Sequence, residues 1–206
     1  MNHRRSLSPR GRLCWALGFT SLVLCACALE ARGGRPAGAP AAQAPTAAGR
    51  LEVTFLYMPP TSIDPTYHTA IWLEDAKGVL VKTLYVSQEL SAAEYKMGNV
   101  CPDWVKKAHW DATPKAEVDA VTAPTPNVGS EAKSFDLGAL GVAPGVYQFR
   151  FQMHVAEDHN VLYRGTLTVG PDESRPALEM TQGPGKLLSP DTYVKEVQVR
   201  YRAPAK

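Results

Sequence analysis

The sequence predicts an all-β fold: an antiparallel β-sandwich with a short helical insertion. Three observations predict it. Apolar and polar residues alternate over short stretches, most clearly in GVYQFRFQMHVA at 145–156, and a period of two marks a half-buried strand. These stretches follow one another without the strand–helix–strand order of a parallel sheet. One segment, 87–112, breaks the pattern and reads as helix.

The elements follow in chain order. Residues 1–28 read as an export signal, a basic start (MNHRRSLSPRGR) followed by the apolar LCWALGFTSLVLCACAL. A stretch of seventeen residues is marginal against the roughly 20 that a spanning helix needs, and the small residues that follow suit cleavage, which favours a cleaved signal over an uncleaved anchor. Leu24-Cys25-Ala26-Cys27 resembles the bacterial lipobox, which makes Cys27 the lipid-attachment residue. The rival is an A-x-A site at Ala26-Cys27-Ala28, which would release a soluble protein. Arg4-Arg5 also suits a twin-arginine signal. Residues 29–50 are rich in Ala, Gly, Pro and Arg and hold too little apolar mass to fold, so they read as a linker.

Residues 51–206 are the folded domain. In LEVTFLY, Leu51, Val53, Phe55 and Tyr57 share one face. Two further strands lie in 67–86, joined at Glu74–Gly78, where glycine permits the left-handed backbone of a hairpin turn. Ser91-Ala92-Ala93-Glu94 reads as a capping box that starts a short helix ended by Gly98. Pro102 opens a second helix over 102–110, with Trp104, Val105 and Ala108 on one face. Residues 113–132 read as loop and Lys133–Leu137 as a short strand. The strand 145–156 points Tyr147, Phe149, Phe151, Met153 and Val155 inward, with Gln148, Arg150, Gln152 and His154 outward. VLYRGTLTV returns beside it. A long loop, 170–191, leads to a last strand carrying Val197, Val199 and Tyr201 inward. That makes about seven strands.

Charge separates the parts. Residues 1–50 carry seven Arg and one Glu, a net of +6; the remainder carries 15 Lys and Arg against 19 Asp and Glu, a net of −4. The basicity belongs to the signal and linker, and the domain lacks the basic face of a nucleic-acid binder. Of four cysteines, only Cys101 lies in the domain, so no internal disulfide forms there.

The hairpin Trp72 to Leu84, the pair Asp119 and Thr122, and the strand start Pro144-Gly145 with Tyr147 resemble a family of predicted periplasmic proteins, domain of unknown function 2271, over roughly residues 51–170. That family is related to the immunoglobulin-like domain of the flagellar hook-capping protein. The resemblance implies export and an immunoglobulin-like sandwich; it supplies no activity.

Four candidate sites stand out. Asp119-Ala-Val-Thr122-Ala-Pro-Thr125 is similar to the acceptor motif of exported flavoproteins, which would attach flavin mononucleotide to Thr125 by a phosphoester. Asp119, Thr122 and Thr125 match it, whereas Ala123 and Pro124 replace its Gly-Ala, and the proline fixes φ and removes an N–H. Turns use these same residue types, with Asp119 and Thr122 bonding nearby backbone N–H groups, and that is the reading taken. Cys101 precedes a helix, where the local field would lower its pKa, but a lone cysteine is more often a buried small hydrophobe. Met153, His154 and His159, with Glu157 and Asp158, suggest a copper or iron site. Met153 and His154 point to opposite sides of one strand, however, so a hairpin tip with solvated histidines and no metal is preferred. Cys101 and His109 sit about 80° apart around one short helix and make no catalytic pair. The expectation is a non-enzymatic binding or accessory module without a cofactor. It would be periplasmic, lipid-anchored to the outer membrane, and partnered by other envelope proteins. A soluble form, a carrier of covalent flavin and a metal-binding accessory protein are the alternatives.

Overall fold

The computed structural model describes residues 49–59, 61, 64–156, 159–183 and 193–205. The export signal, most of the linker and Cys27 lie outside the described residues, as do Glu157 and Asp158. Among the described residues nine strands form: β1 Arg50–Tyr57, β2 His68–Glu74, β3 Leu80–Ser87, β4 Thr122–Ala123, β5 Gly129–Asp136, β6 Gly145–Ala156, β7 His159–Val169, β8 Glu179–Gly183 and β9 Val194–Arg202. Between β3 and β4 run three short helices, α1 Gln88–Ala92, α2 Pro102–Ala108 and α3 Lys115–Val121, with 3₁₀ turns at Glu94–Lys96 and Trp110–Ala112.

The strands make two sheets, ordered β5-β1-β9 and β4-β3-β2-β6-β7-β8. Every pairing is antiparallel except the short parallel contact of β4 with β3. The alternation read in β1 sets its inward face, and Leu51, Val53, Phe55 and Tyr57 are all buried. Ile71 and Leu73 of β2, and Phe149, Phe151 and Met153 of β6, join the same apolar core from the larger sheet. Phe55 meets Phe151 across it with ring centroids 5.0 Å apart. Each such side chain contributes about 1.5–3 kcal/mol by leaving water. Tyrosines at the core's margin keep their polar ends satisfied. Tyr57 Oη donates to Thr66 O, Tyr85 Oη to Pro124 O, Tyr163 Oη to Val194 O and Tyr201 Oη to Gly170 O, all at 2.7–2.8 Å.

Two edges carry features that discourage pairing with another sheet. On β5, Glu131 and Lys133 are mostly buried and pair at 3.0 Å, and such inward charges blunt an edge. On β9, a bulge places Glu196 and Val197 opposite Phe55, with Glu196 in the left-handed region at φ 54°.

Four expectations change. Ser91 lies inside α1 rather than capping a helix, because the chain turns helical directly after β3 at Gln88. The 113–132 loop contains α3 and β4; Pro114 precedes α3 and a Lys115–Asp119 pair one turn apart supports it. The 170–191 loop contains β8, whose polar EMTQG lacks the alternation that would reveal it. Gln152 and His154, expected in solvent, are buried, because the helical insertion covers that face of the sheet.

Candidate functional site

All seven residues of β2 are buried, so both of its faces are covered. Ile71 and Leu73 face the core between the sheets. Ala70 and Trp72 face a second apolar cluster with Val86, Leu90, Val100, Cys101, Trp104, Trp110 and Val121. Trp104 and Trp110 stack edge to face at 5.0 Å within it. The insertion is therefore a layer on the large sheet, and Glu74, Thr83, Gln152 and Asn160 are buried polar residues beneath it.

One end of that layer is organised around Glu74. Its carboxylate is 1% exposed and Oε1 accepts the Trp72 indole N–H at 2.7 Å. Lys107 Nζ of α2 lies 2.8 Å from Oε1, and Arg150 Nη2 of β6 lies 3.2 Å from Oε2. The Oε2 contact is an ion pair without hydrogen-bond geometry. Lys107 also donates to the Gly78 carbonyl at 2.7 Å. The hairpin motif thus has a physical explanation. Asp75 Oδ1 accepts the N–H groups of Lys77 and Val79, Gly78 takes φ 78°, and Thr83 Oγ1 accepts the Trp104 indole at 3.2 Å. Its polar residues build the turn and hold α2 down.

The other end is organised by two buried amides. Cys101 precedes α2 in the left-handed region and supplies no side-chain cap. Gln152 of β6 caps the helix from outside: Oε1 accepts the N–H groups of Asp103 and Trp104, and Nε2 donates to Asp103 Oδ2 at 2.6 Å. Asn160 of β7 accepts the Cys101 N–H at 3.0 Å and donates to Asn99 O at 2.7 Å. The Cys101 thiol is fully buried, with Sγ 3.4 Å from His68 O. Burial pushes its pKa up, which agrees with the buried-hydrophobe reading and opposes any lowering by the helix.

The solvated tip expected does not form at His154, which is buried, whereas His159 opens β7 half-buried. His154 Nδ1 lies 2.7 Å from Thr66 Oγ1, under cover, and its ring sits 5.7 Å from that of His68. His68 Nε2 is 3.9 Å from Glu89 Oε2, and its Nδ1 is buried without a hydrogen bond. Burial lowers the His68 pKa, against an opposing pull from Glu94 and Glu89. Met153 faces the core on the opposite side of β6. Among the described residues, no group of three or more His, Cys, Asp or Glu side chains is placed to hold a metal ion. His109 ends α2 exposed, while Cys101 begins it buried.

The DAVTAPTP stretch is a helix end and a short strand, not the turn expected. Asp119 is exposed on α3, with Lys115 Nζ at 2.7 Å. Thr122 ends α3, pairs beside Val86 in β4, and shares a 2.9 Å bond with Ser91 Oγ. Thr125 follows, half-buried, after the Pro124 carbonyl that Tyr85 holds. A cleft of about 400 Å³ opens beside Thr122, walled by Tyr85, Val121, Ala132 and Phe135. Asp119 and Thr122 are thus engaged by different structural partners.

Sequence reasoning missed Glu74, Gln152, Asn160 and Arg150 as interior groups. One signal was present: β2 carries apolar residues on both faces, Ala70 and Trp72 as well as Ile71 and Leu73.

A model of a predicted periplasmic protein family, domain of unknown function 2271, matches residues 56–186. The chain belongs to this family. Neither the comparison with curated proteins nor that with solved structures gives a match. The span matched by the 2271 domain runs from the end of β1 through β8 and includes the whole helical insertion. The layer over the sheet is therefore part of the family domain in this chain.

Proposed function

We propose that this member of the 2271 family is a non-enzymatic binding or accessory module of the cell envelope. A lipid on Cys27 tethers it to the outer membrane, and the Ala/Pro/Gly linker lets its immunoglobulin-like sandwich reach other envelope proteins. The hook-capping kinship concerns fold and carries no flagellar role. One observation supports the module reading above the rest. Glu74, Gln152, Asn160 and Thr83, four of the buried polar side chains under the insertion, are each engaged in bonds that fix α2 and its approach to the sheet. Polar groups so occupied serve architecture, whereas catalysis needs groups free to meet a substrate.

Intact mass and peptide mapping of protein from the native envelope fraction test this. A diacylglyceryl group on Cys27, with an unmodified peptide spanning Asp119 to Thr125, is the expected result. A chain starting at Leu29 would remove the anchor. A flavin mononucleotide adduct on Thr125 would make the protein a redox carrier instead. Metal uptake lost in the His154→Ala, His159→Ala variant would favour the metal-binding alternative.

A further inference from the structure

Arg150 on β6 and Arg164 on β7 stand directly opposite each other across the ladder. Like charges so placed destabilise a strand pair, and a fold that keeps them must bring negative charge to them. Glu74 lies 3.2 Å from Arg150, and Glu179 of β8 lies 3.1 Å from Arg164. Lys107 also draws on Glu74. Within these ion pairs three cations therefore share two carboxylates. Both arginines line a cavity of about 270 Å³, together with Gln148, Thr166, Ala177 and Glu179. Gln148 Nε2 donates to Thr166 Oγ1 at 3.2 Å on its wall. Gly165 lies between Arg164 and Thr166, and a Cβ there would come within 2.6 Å of the Ala177 carbonyl, so the segment that closes the cavity needs glycine at 165.

We propose that this cavity binds a carboxylate-bearing ligand, held by Arg164 and Arg150 in place of Glu179. Guanidinium forks match carboxylates in shape as well as charge. The two counter-ions are not equivalent. Glu74 is buried and fixed, whereas Glu179 and Arg164 have side chains 75% and 48% exposed. An exposed pair of that kind adds little stability, so an incoming carboxylate displaces Glu179 at small cost. The Gln148 amide and Thr166 hydroxyl then meet the polar groups beside the carboxylate. Pockets for drug-sized ligands run to about 300–1,000 Å³, so this one admits a small acid or only the C-terminal end of a peptide. The proposal goes beyond the accessory role and is independent of lipid on Cys27.

Calorimetric titration of the full chain at constant ionic strength tests it. The probes are succinate and the tripeptide Ala-Ala-Ala, the latter as free acid and as C-terminal amide. Saturable binding of a carboxylate probe, and none of the amide, is expected. Arg164→Gln should weaken it about tenfold, as loss of one charged hydrogen bond implies. Glu179→Gln should tighten it, because the internal competitor is gone. Both positions are exposed at the side chain, so both variants should melt within a few degrees of the parent. Binding of succinate would assign the site to small free acids, and binding of the tripeptide alone would assign it to peptide termini. The proposal is overturned by no saturable binding of either acid, by equal binding of the amide, or by an affinity unchanged in Arg164→Gln.

Discussion

Replacing Glu74 with glutamine should destabilise the domain more than any exposed ion-pair change. The carboxylate is 1% exposed and faces two cations, Lys107 at 2.8 Å and Arg150 at 3.2 Å. Breaking a buried pair by removing one partner costs about 3–5 kcal/mol when the remaining charge stays buried. Here Lys107 is 34% exposed and Arg150 17%, so both recover some hydration. Glutamine also keeps an acceptor for the Trp72 indole. The expected loss is therefore about 2–3 kcal/mol. For a domain of this size that lowers Tm by roughly 4–12 °C. Urea unfolding followed by tryptophan fluorescence reads it directly, because Trp72 and Trp104 lie in the layer the carboxylate holds. The denaturant slope should not change, since the same surface is exposed on unfolding. Lys107→Met and the double variant complete a cycle, with a coupling of about 1 kcal/mol or more expected for groups in direct contact. A loss below about 0.5 kcal/mol, the range of ordinary surface changes, would refute the view that Glu74 anchors the insertion.

Gln152→Leu leaves the Asp103 and Trp104 N–H groups without their acceptor, and a loss of about 2–4 kcal/mol with faster amide exchange at both positions is expected. Gly165→Ala drives a methyl toward the Ala177 carbonyl and Leu178, so urea unfolding should show a loss of about 1–3 kcal/mol. His68 has its pKa held below the ordinary 6.5 by burial. The unfolded chain therefore binds the proton more readily, so stability is full above about pH 6.5 and declines as pH falls below it. Urea midpoints at pH 7.5 and 5.5 should show that decline, and His68→Phe should flatten it.

The core between the sheets was legible because alternation alone determines which side of a strand is apolar. Leu51 to Tyr57 and Tyr147 to Val155 follow that rule, and the structure buries most of those residues. The second layer was not legible for the same reason. Alternation assigns Gln152 and His154 to the far side of β6 but says nothing of what lies there, and polar residues are read as facing water by default. Short elements also escaped. Lys115–Val121 spans only two turns between prolines, and β4 has two residues, so Asp119 and Thr122 looked like turn chemistry until the third dimension gave them Lys115 and Ser91 as partners.

The place of Cys101 has a consequence for the order of events after export. A periplasm is an oxidising compartment, where an accessible thiol is open to mixed disulfides and to oxidation toward sulfenic acid. A chain that crosses the inner membrane unfolded presents its thiol to that chemistry. Protection comes only when α2 has closed over β6 and β7, because the backbone flanking the sulfur is held by Asn160 and Gln152, more than fifty positions later in the chain at Asn160 and nearly that at Gln152. For a chain exported unfolded, folding of the hairpin and docking of the helix must therefore outpace the envelope's disulfide-forming machinery, and slow-folding variants would be trapped as adducts that cannot complete the layer; a chain exported already folded would arrive with this thiol covered.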